Sequence, residues 1–293
     1  MILVTGANGF VGRHVTRDLV ATGASVRALV RSSRAAAALE DVDCELVRGD
    51  VTDPASLRAA ARGVRTIVHL VAIIEGSPAT IERVMAAGTG NLVEAAREGG
   101  VRRIVLMSAL GTGPGATVPY LRAKWAAEQA VASSGVERVV LRPSFVFGAD
   151  GGALQRFLRL ARLAPVTPVL GPGTQRVQPI WIDDVVRAVR LAVDAEPVET
   201  PIELGGPEAV TWNDLWRRLK EALGTRRPAV NVPFWLARGP AALLERVPSA
   251  PLTRDQLRML EGPDNVVTDG GASMRRLGLG ELVPLDEQLR RAV

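Results

Sequence analysis

Cysteine occurs once in the 293 residues, at Cys44. No intramolecular disulfide can form, and a reducing cytosol is the natural setting, so the expected location is cytoplasmic. Histidine occurs only twice. Beside a single cysteine that is too few for a structural zinc site, and no metal site is expected. Aromatic residues make up 4% of the chain, and the only lysines are Lys124 and Lys220. Long apolar runs are also missing: none nears the roughly 18 residues of a membrane span, so no transmembrane segment is expected. The chain opens Met1-Ile2-Leu3-Val4-Thr5-Gly6. It shows no charged n-region and no cleavage site, so no signal peptide is expected. The net charge is +5 and the pI about 10.4, yet arginines alternate with acids and never cluster with aromatics. Solvated helix faces account for that charge, and no specific nucleic-acid partner is expected.

What is present is apolar residue, 47% of the chain, ample for a large core in one or two domains. Short β-branched runs alternate with Ala-rich helical patterns. Ile2–Val4, Ser25–Val30, Cys44–Arg48, Thr66–Val71, Arg103–Met107, Arg138–Arg142 and Pro201–Leu204 have the pattern of strands. Gly9–Thr22, Ser33–Leu39, Pro54–Ala61, Ile81–Glu98, Leu121–Ser133 and Asp183–Val193 have that of helices. The alternation predicts an α/β fold, a Rossmann-type doubly wound parallel sheet with a smaller, mostly helical C-terminal lobe. The Rossmann domain spans 1–147 and is completed by about 178–205; the lobe takes 148–177 and 206–293. Gly151-Gly152 and Ala164–Gly173 mark loops. Beyond Thr211 come helical patterns at Trp212–Leu223 and Thr253–Leu260, around the Pro-punctuated Val232–Pro251. Within it Phe234–Val247 is amphipathic, suited to an apolar lid or to docking a partner.

Thr5-Gly6-Ala7-Asn8-Gly9-Phe10-Val11-Gly12 joins the first strand to the first helix. Gly6 permits the turn, Gly9 a close approach of pyrophosphate, and Gly12 close packing of helix on sheet. The helix N-terminus offers N–H groups to phosphate. The spacing is G-x-x-G-x-x-G, and its place between strand and helix is the confirming context. At the end of the second strand, Val30-Arg31-Ser32-Ser33-Arg34 has no acid for a ribose 2′-hydroxyl. Arg31 suits a 2′-phosphate, with Arg13 a second candidate, so NADP(H) is expected over NAD(H). Asp50-Val51 follows the third strand, where Asp50 either bonds an adenine amino group or serves as a turn or cap residue. Leu70-Val71-Ala72 after the fourth strand and Pro143 after the sixth complete the candidate cofactor contacts.

Tyr120, the only tyrosine, lies four residues before Lys124. On a helix the two share a face. An ammonium beside a phenol is expected to lower its pKa and equip it for acid/base work. Lys124 also suits the nicotinamide ribose. Ser108 either orients a substrate oxygen or simply closes the fifth strand.

Gly6/Gly9/Gly12, Arg31, Asp50-Val51, Tyr120-x-x-x-Lys124 and Leu141-Arg142-Pro143-Ser144 together resemble the short-chain dehydrogenase/reductase superfamily, extended or atypical branch. Gln178-Pro179-Ile180-Trp181-Ile182-Asp183-Asp184-Val185 resembles the segment by which extended members return to the sheet. Lys124-Trp125-Ala126-Ala127-Glu128 and Pro251-Leu252-Thr253-Arg254-Asp255-Gln256-Leu257 are similar to bacterial relatives of the nucleotide-binding accessory subunit of respiratory complex I. That resemblance implies NADP(H) binding and leaves catalysis open. In Val84-Met85-Ala86-Ala87-Gly88-Thr89, Met85 stands where extended members carry Asn. The strand before Ser108 lacks their run of serines, which disfavours sugar-nucleotide epimerisation or dehydration.

The first expectation is an NADP(H)-dependent oxidoreductase with Tyr120 as acid/base, Lys124 as its modulator and Ser108 as orienter, acting on an unnamed carbonyl or hydroxyl compound. The second is a non-catalytic NADP(H)-binding assembly or sensor protein. The third is a sugar-nucleotide epimerase or dehydratase. The C-terminal lobe is the candidate face for a homodimer contact or a partner protein.

Overall fold

The structure is a computed structural model, and it describes residues 1–74, 76–244 and 254–293. Seven strands form one sheet: β1 (Ile2–Thr5), β2 (Val26–Val30), β3 (Glu45–Arg48), β4 (Thr66–His69), β5 (Arg103–Met107), β6 (Glu137–Pro143) and β7 (Ile202–Leu204). All pairs are parallel, in the order β7-β6-β5-β4-β1-β2-β3. β1, β4 and β5 are buried throughout, as their largely apolar sequences predict for strands covered on both faces. β3 lies at the edge and is largely exposed.

Five helices flank the sheet: α1 (Phe10–Ala21), α2 (Pro54–Ala61), α3 (Gly88–Glu98), α4 (Pro119–Ala132) and α5 (Ile182–Asp194). Period-two alternation sends Leu3, Ile67, Ile104 and Val140 to one face, where Leu57 of α2, Leu92 of α3 and Val131 of α4 meet them. Each large side chain fully buried there contributes about 1.5–3 kcal/mol. α5 packs on α1, β4, β5 and β6. The order reverses between β1 and β4, and the C-terminal ends of these strands mark the crevice where such sheets bind ligands.

The helix expected over Ile81–Glu98 starts earlier and is not uniform. It runs as an α-turn at Pro78–Ile81, a π-helical stretch at Glu82–Ala87 and then α3. The Thr89 hydroxyl donates to the Met85 carbonyl at 2.5 Å, adding a side-chain donor to the backbone ladder there. β4 stops at His69, two residues short of the expected Val71, because Leu70 and Val71 turn over the glycine loop.

The described residues divide into two compact units, one of Met1–Pro143, Ile182–Leu204 and Gly271–Gly280, the other of Ser144–Trp181, Gly205–Gly270 and Glu281–Val293. Gly271–Gly280, placed in the lobe by sequence, belongs to the sheet unit: its helix Ala272–Arg276 packs against β7. The second unit holds the helices Gly152–Leu163, Trp212–Ala222, Phe234–Leu244, Arg254–Glu261 and Leu285–Ala292. The first of these occupies a stretch left without structure in the sequence reading, and Leu154, Leu158 and Ala161 are its buried stripe. Phe157 anchors an aromatic cluster, edge-to-face with Phe147 and Trp212 at centroid distances of 6.2 and 5.5 Å. Residues 245–253 fall outside the described residues, and with them the ends of the expected Phe234–Val247 and Val232–Pro251 segments and the start of Pro251–Leu257. Among the described residues no helix is long and apolar enough to cross a membrane.

Candidate active site

The glycine turn is built by exclusion of side chains. Gly6 has φ +73°, in the left-handed region, and a Cβ on it would lie 3.0 Å from the Leu70 and Val71 backbone. A Cβ on Gly12 would fall 2.0 Å from the Gly6 carbonyl oxygen, so only glycine lets the first turn of α1 sit on the loop. Gly9 donates its N–H to Gly6 O at 2.9 Å. Gly9 is also the N-cap of α1, with no side-chain cap and no acid in the first turn. No carboxylate of the first turn opposes the N-terminal N–H groups, and Asn8, Phe10 and Val11 stand half-buried around them. Tight turn, missing Cβ atoms and uncapped helix end fit the pyrophosphate of a dinucleotide.

Arg31 leaves the end of β2 exposed, with no ion-pair partner among the described residues. Ser32 beside it caps the short helix Ser33–Ala36, accepting from Ala35 N–H at 3.2 Å. The Arg13 guanidinium lies 5.6 Å from the centroid of the Phe10 ring. Asp50 braces its own turn: its Oδ1 accepts from the Thr52 amide and hydroxyl, both at 2.8 Å. This is the turn role that the sequence left open. Val51 is buried and packs on Gly88.

Tyr120 and Lys124 both lie on α4, as their spacing predicts. Lys124 is 3% exposed, and its ammonium donates to Met107 O at 2.6 Å and Val71 O at 3.4 Å. Burial lowers its pKa to about 8, against an opposing pull from the Glu128 carboxylate. Glu128 in turn accepts both arms of Arg142, at 2.9 and 2.6 Å. The Tyr120 ring is half-buried on Ile81, Met85 and Ala123, with Ile73 and Ala86 alongside. Lys124 Nζ sits 5.9 Å from its centroid. Burial raises the Tyr120 pKa to about 12. This reverses the expectation that Lys124 lowers it, because the ammonium is tied to two backbone carbonyls and approaches the ring from a distance. Ser108 is buried, and its hydroxyl donates to Thr112 Oγ1 at 3.3 Å.

The glycine turn, Leu70-Val71-Ala72 and Lys124 are therefore one neighbourhood, with Val71 touching both the turn and the ammonium. Pro143 closes β6, where its carbonyl accepts from Leu110 N–H at 3.0 Å. Sequence reasoning passed over His69. Fully buried behind the turn, it bonds Thr5 Oγ1 through Nδ1 at 2.6 Å and Thr89 Oγ1 through Nε2 at 3.0 Å. Thr89 spends its proton on Met85 O, so Nε2 carries the hydrogen and Nδ1 accepts from Thr5. Burial, helped by the Lys124 charge, lowers the His69 pKa to about 3 and keeps the ring neutral. The available signal was its place in an otherwise apolar strand.

A ceramide reductase of Caulobacter vibrioides is 30% identical over 238 residues, covering 80% of this chain and 74% of that protein. The mitochondrial NADH dehydrogenase (ubiquinone) 1 alpha subcomplex subunit 9 of Arabidopsis thaliana is 27% identical over 98% of this chain and 74% of its own. This agrees with the resemblance to the accessory subunit of complex I. The NAD-bound dTDP-glucose 4,6-dehydratase DesIV of Streptomyces venezuelae superposes with a TM-score of 0.78 at 22% identity, covering 99% of this chain and 95% of that one. At that identity it shows the shared fold alone. Residues 2–205, which hold the whole glycine turn and the Tyr120–Lys124 pair, match the model of the NAD dependent epimerase/dehydratase family, and the chain belongs to that family.

Proposed function

We propose that the protein is an NADP(H)-dependent reductase of a ketone on an apolar, lipid-like molecule. The observation that carries this reading is the buried Lys124 ammonium, one helical turn from Tyr120 and in contact with Val71 of the loop that packs on the glycine turn. Arg31, exposed at the end of β2 where NAD enzymes place an acid, supports the 2′-phosphate. The apolar surroundings of Tyr120, formed by Ile73, Ile81 and Met85, support the substrate class, as does the similarity to the Caulobacter ceramide reductase.

When bound, NADPH supplies the hydride. Tyr120, with a pKa of about 12 in the chain alone, is protonated at neutral pH and serves as the proton donor. As the carbonyl is reduced, its oxygen would take the Tyr120 hydroxyl hydrogen. Water then reprotonates the phenolate left behind, without help from Lys124, which is held by Met107 O and Val71 O. Its ammonium also offers a hydrogen bond to the nicotinamide ribose.

A second reading, an NADP(H)-binding assembly protein, draws on one observation: the Ser108 hydroxyl is engaged with Thr112 and not with Tyr120. The deciding experiment follows NADPH oxidation by absorbance with a panel of long-chain and polycyclic ketones. Turnover by the wild type, reduced 100-fold or more in Tyr120→Phe with NADPH affinity unchanged, is expected. No turnover with any ketone, at full NADPH affinity, would establish the second reading.

A further inference from the structure

Nine large apolar side chains are exposed among the described residues, and six of these lie in the unit that begins at Ser144; Val293 is the last residue of the sequence, and the other five are Leu163, Val166, Val230, Trp235 and Leu236. The secondary structure places them close together. Leu163 ends the helix Gly152–Leu163, and Val166 directly precedes the strand Thr167–Leu170. That strand pairs in parallel with Ala229–Val232, with Val230 opposite Pro168. The helix Phe234–Leu244 starts two residues later. Its Ala237 and Phe234 pack inward with Leu170 and Val232, leaving Trp235 72% and Leu236 53% exposed. The Arg227 guanidinium ties these pieces together, donating to Arg162 O at 2.5 Å and Ala164 O at 2.8 Å.

The charge around these side chains is predominantly positive. No Asp or Glu occurs between Asp150 and Asp183, nor between Glu221 and Glu245, and both stretches build this face. Arg159 and Arg226 are exposed with no ion-pair partner among the described residues. Arg159 stands three and four residues before Arg162 and Leu163, so the three share a helix face. Arg238 is paired with Glu261. Tryptophan and leucine beside unpaired arginine is the composition of an interfacial surface, in which rings and aliphatic groups enter the headgroup layer and guanidiniums meet lipid phosphates. A symmetric contact with a second copy would set these arginines against themselves.

We propose that this face docks the protein on an anionic lipid bilayer, with Trp235, Leu236 and Leu163 in the headgroup layer and Arg159 and Arg226 on lipid phosphates. The docking does not depend on the reductase reading. It is tested by sedimenting the full chain with vesicles of phosphatidylcholine alone or mixed equally with phosphatidylglycerol. The expected result is binding to the mixed vesicles that weakens with added salt, together with a blue shift of tryptophan emission that is absent in Trp235→Phe. Arg159→Gln with Arg226→Gln is expected to weaken partition by about fivefold per arginine, roughly 25-fold together. Trp235→Ser with Leu236→Ser is expected to abolish it. Both double variants keep wild-type NADPH affinity and circular dichroism, since their side chains are exposed. No binding to the mixed vesicles, or equal binding by the variants, overturns the proposal. So does a dimer in sedimentation equilibrium that Trp235→Ser with Leu236→Ser dissociates, because a second copy would then cover the face.

Discussion

A lysine at 3% exposure stays an ammonium only where carbonyls replace its water, and Lys124 has Met107 O and Val71 O. Its pKa of about 8, below the usual 10.5, means the charge is complete below pH 8 and lost above it. If this ammonium bonds the ribose, NADPH affinity is level from pH 6 to 7.5 and falls with one proton's slope above about 8, a dependence that Lys124→Met removes; fluorescence titration across pH measures it. Arg31 makes a separate prediction. Arg31→Ala is expected to weaken NADPH binding by about tenfold or more, the scale of a lost charge-assisted hydrogen bond, and to leave NADH unchanged. Equal wild-type affinity for the two cofactors would remove the assignment. The Tyr120–Lys124 pair was legible because helical spacing alone puts the two on one face. The direction of the Tyr120 shift was not, since it comes from burial against Ile81, Met85 and Ala123, which the spacing of the pair does not reveal. Asp50 was legible as a strand-end acid, but its bond to Thr52 is a matter of local turn geometry.

The β1–α1 junction sets helix on loop with no room for a methyl group. Gly12→Ala would drive a Cβ to 2.0 Å from the Gly6 oxygen, a backbone atom that cannot swing aside. It is expected to destabilise by about 1–3 kcal/mol and to weaken NADPH binding at least tenfold. Gly90 in α3 is the contrast, since its Cβ would meet nothing within 4 Å. Gly90→Ala is expected to stabilise by about 0.5–1 kcal/mol through helix propensity. Urea denaturation of both variants measures the pair. At this scale the sheet was legible almost to the residue, because buried parallel strands are largely apolar runs closed by turn residues. The helix Gly152–Leu163 was not, because Gly151-Gly152 and Pro165 frame it as loop, although its three arginines keep to the exposed face. The π-helical stretch before α3 was hidden as well, as its apolar spacing differs little from an α-helix over so few residues.

The stability of the whole molecule is linked to pH through a histidine that takes no part in the proposed chemistry. Thr5 at the end of β1, His69 at the end of β4 and Thr89 in α3 form one buried hydrogen-bonded chain. Protonating His69 would bury a charge beside the Lys124 ammonium, which is why its pKa falls from 6.5 to about 3. In the unfolded chain the ring titrates at its usual value. Between pH 6.5 and 3 the unfolded state therefore holds more protons, and stability rises with pH through that window and is lost as pH falls. The ion-paired carboxylates Asp41, Glu137, Asp264 and Glu287, with pKa values lowered chiefly by hydrogen bonds from Arg17, Arg102, Arg176 and Arg291, lose stability in the same direction. They begin to do so around their ordinary values of 3.8 and 4.5, so the histidine dominates the interval from pH 7.5 to 5. Across it the unfolding free energy is expected to drop by about 2 kcal/mol. Lys124 adds a rise of the same sign from pH 8 toward 10.5, since its folded pKa is also depressed. Tyr120, raised to about 12, reverses the trend above pH 10. Urea unfolding from pH 5 to 10 is thus expected to show stability climbing to an alkaline maximum, with the lower limb flattened in His69→Asn. A wild-type curve level between pH 5 and 7.5 would mean that the ring protonates in place and the chain of hydrogen bonds does not hold it neutral.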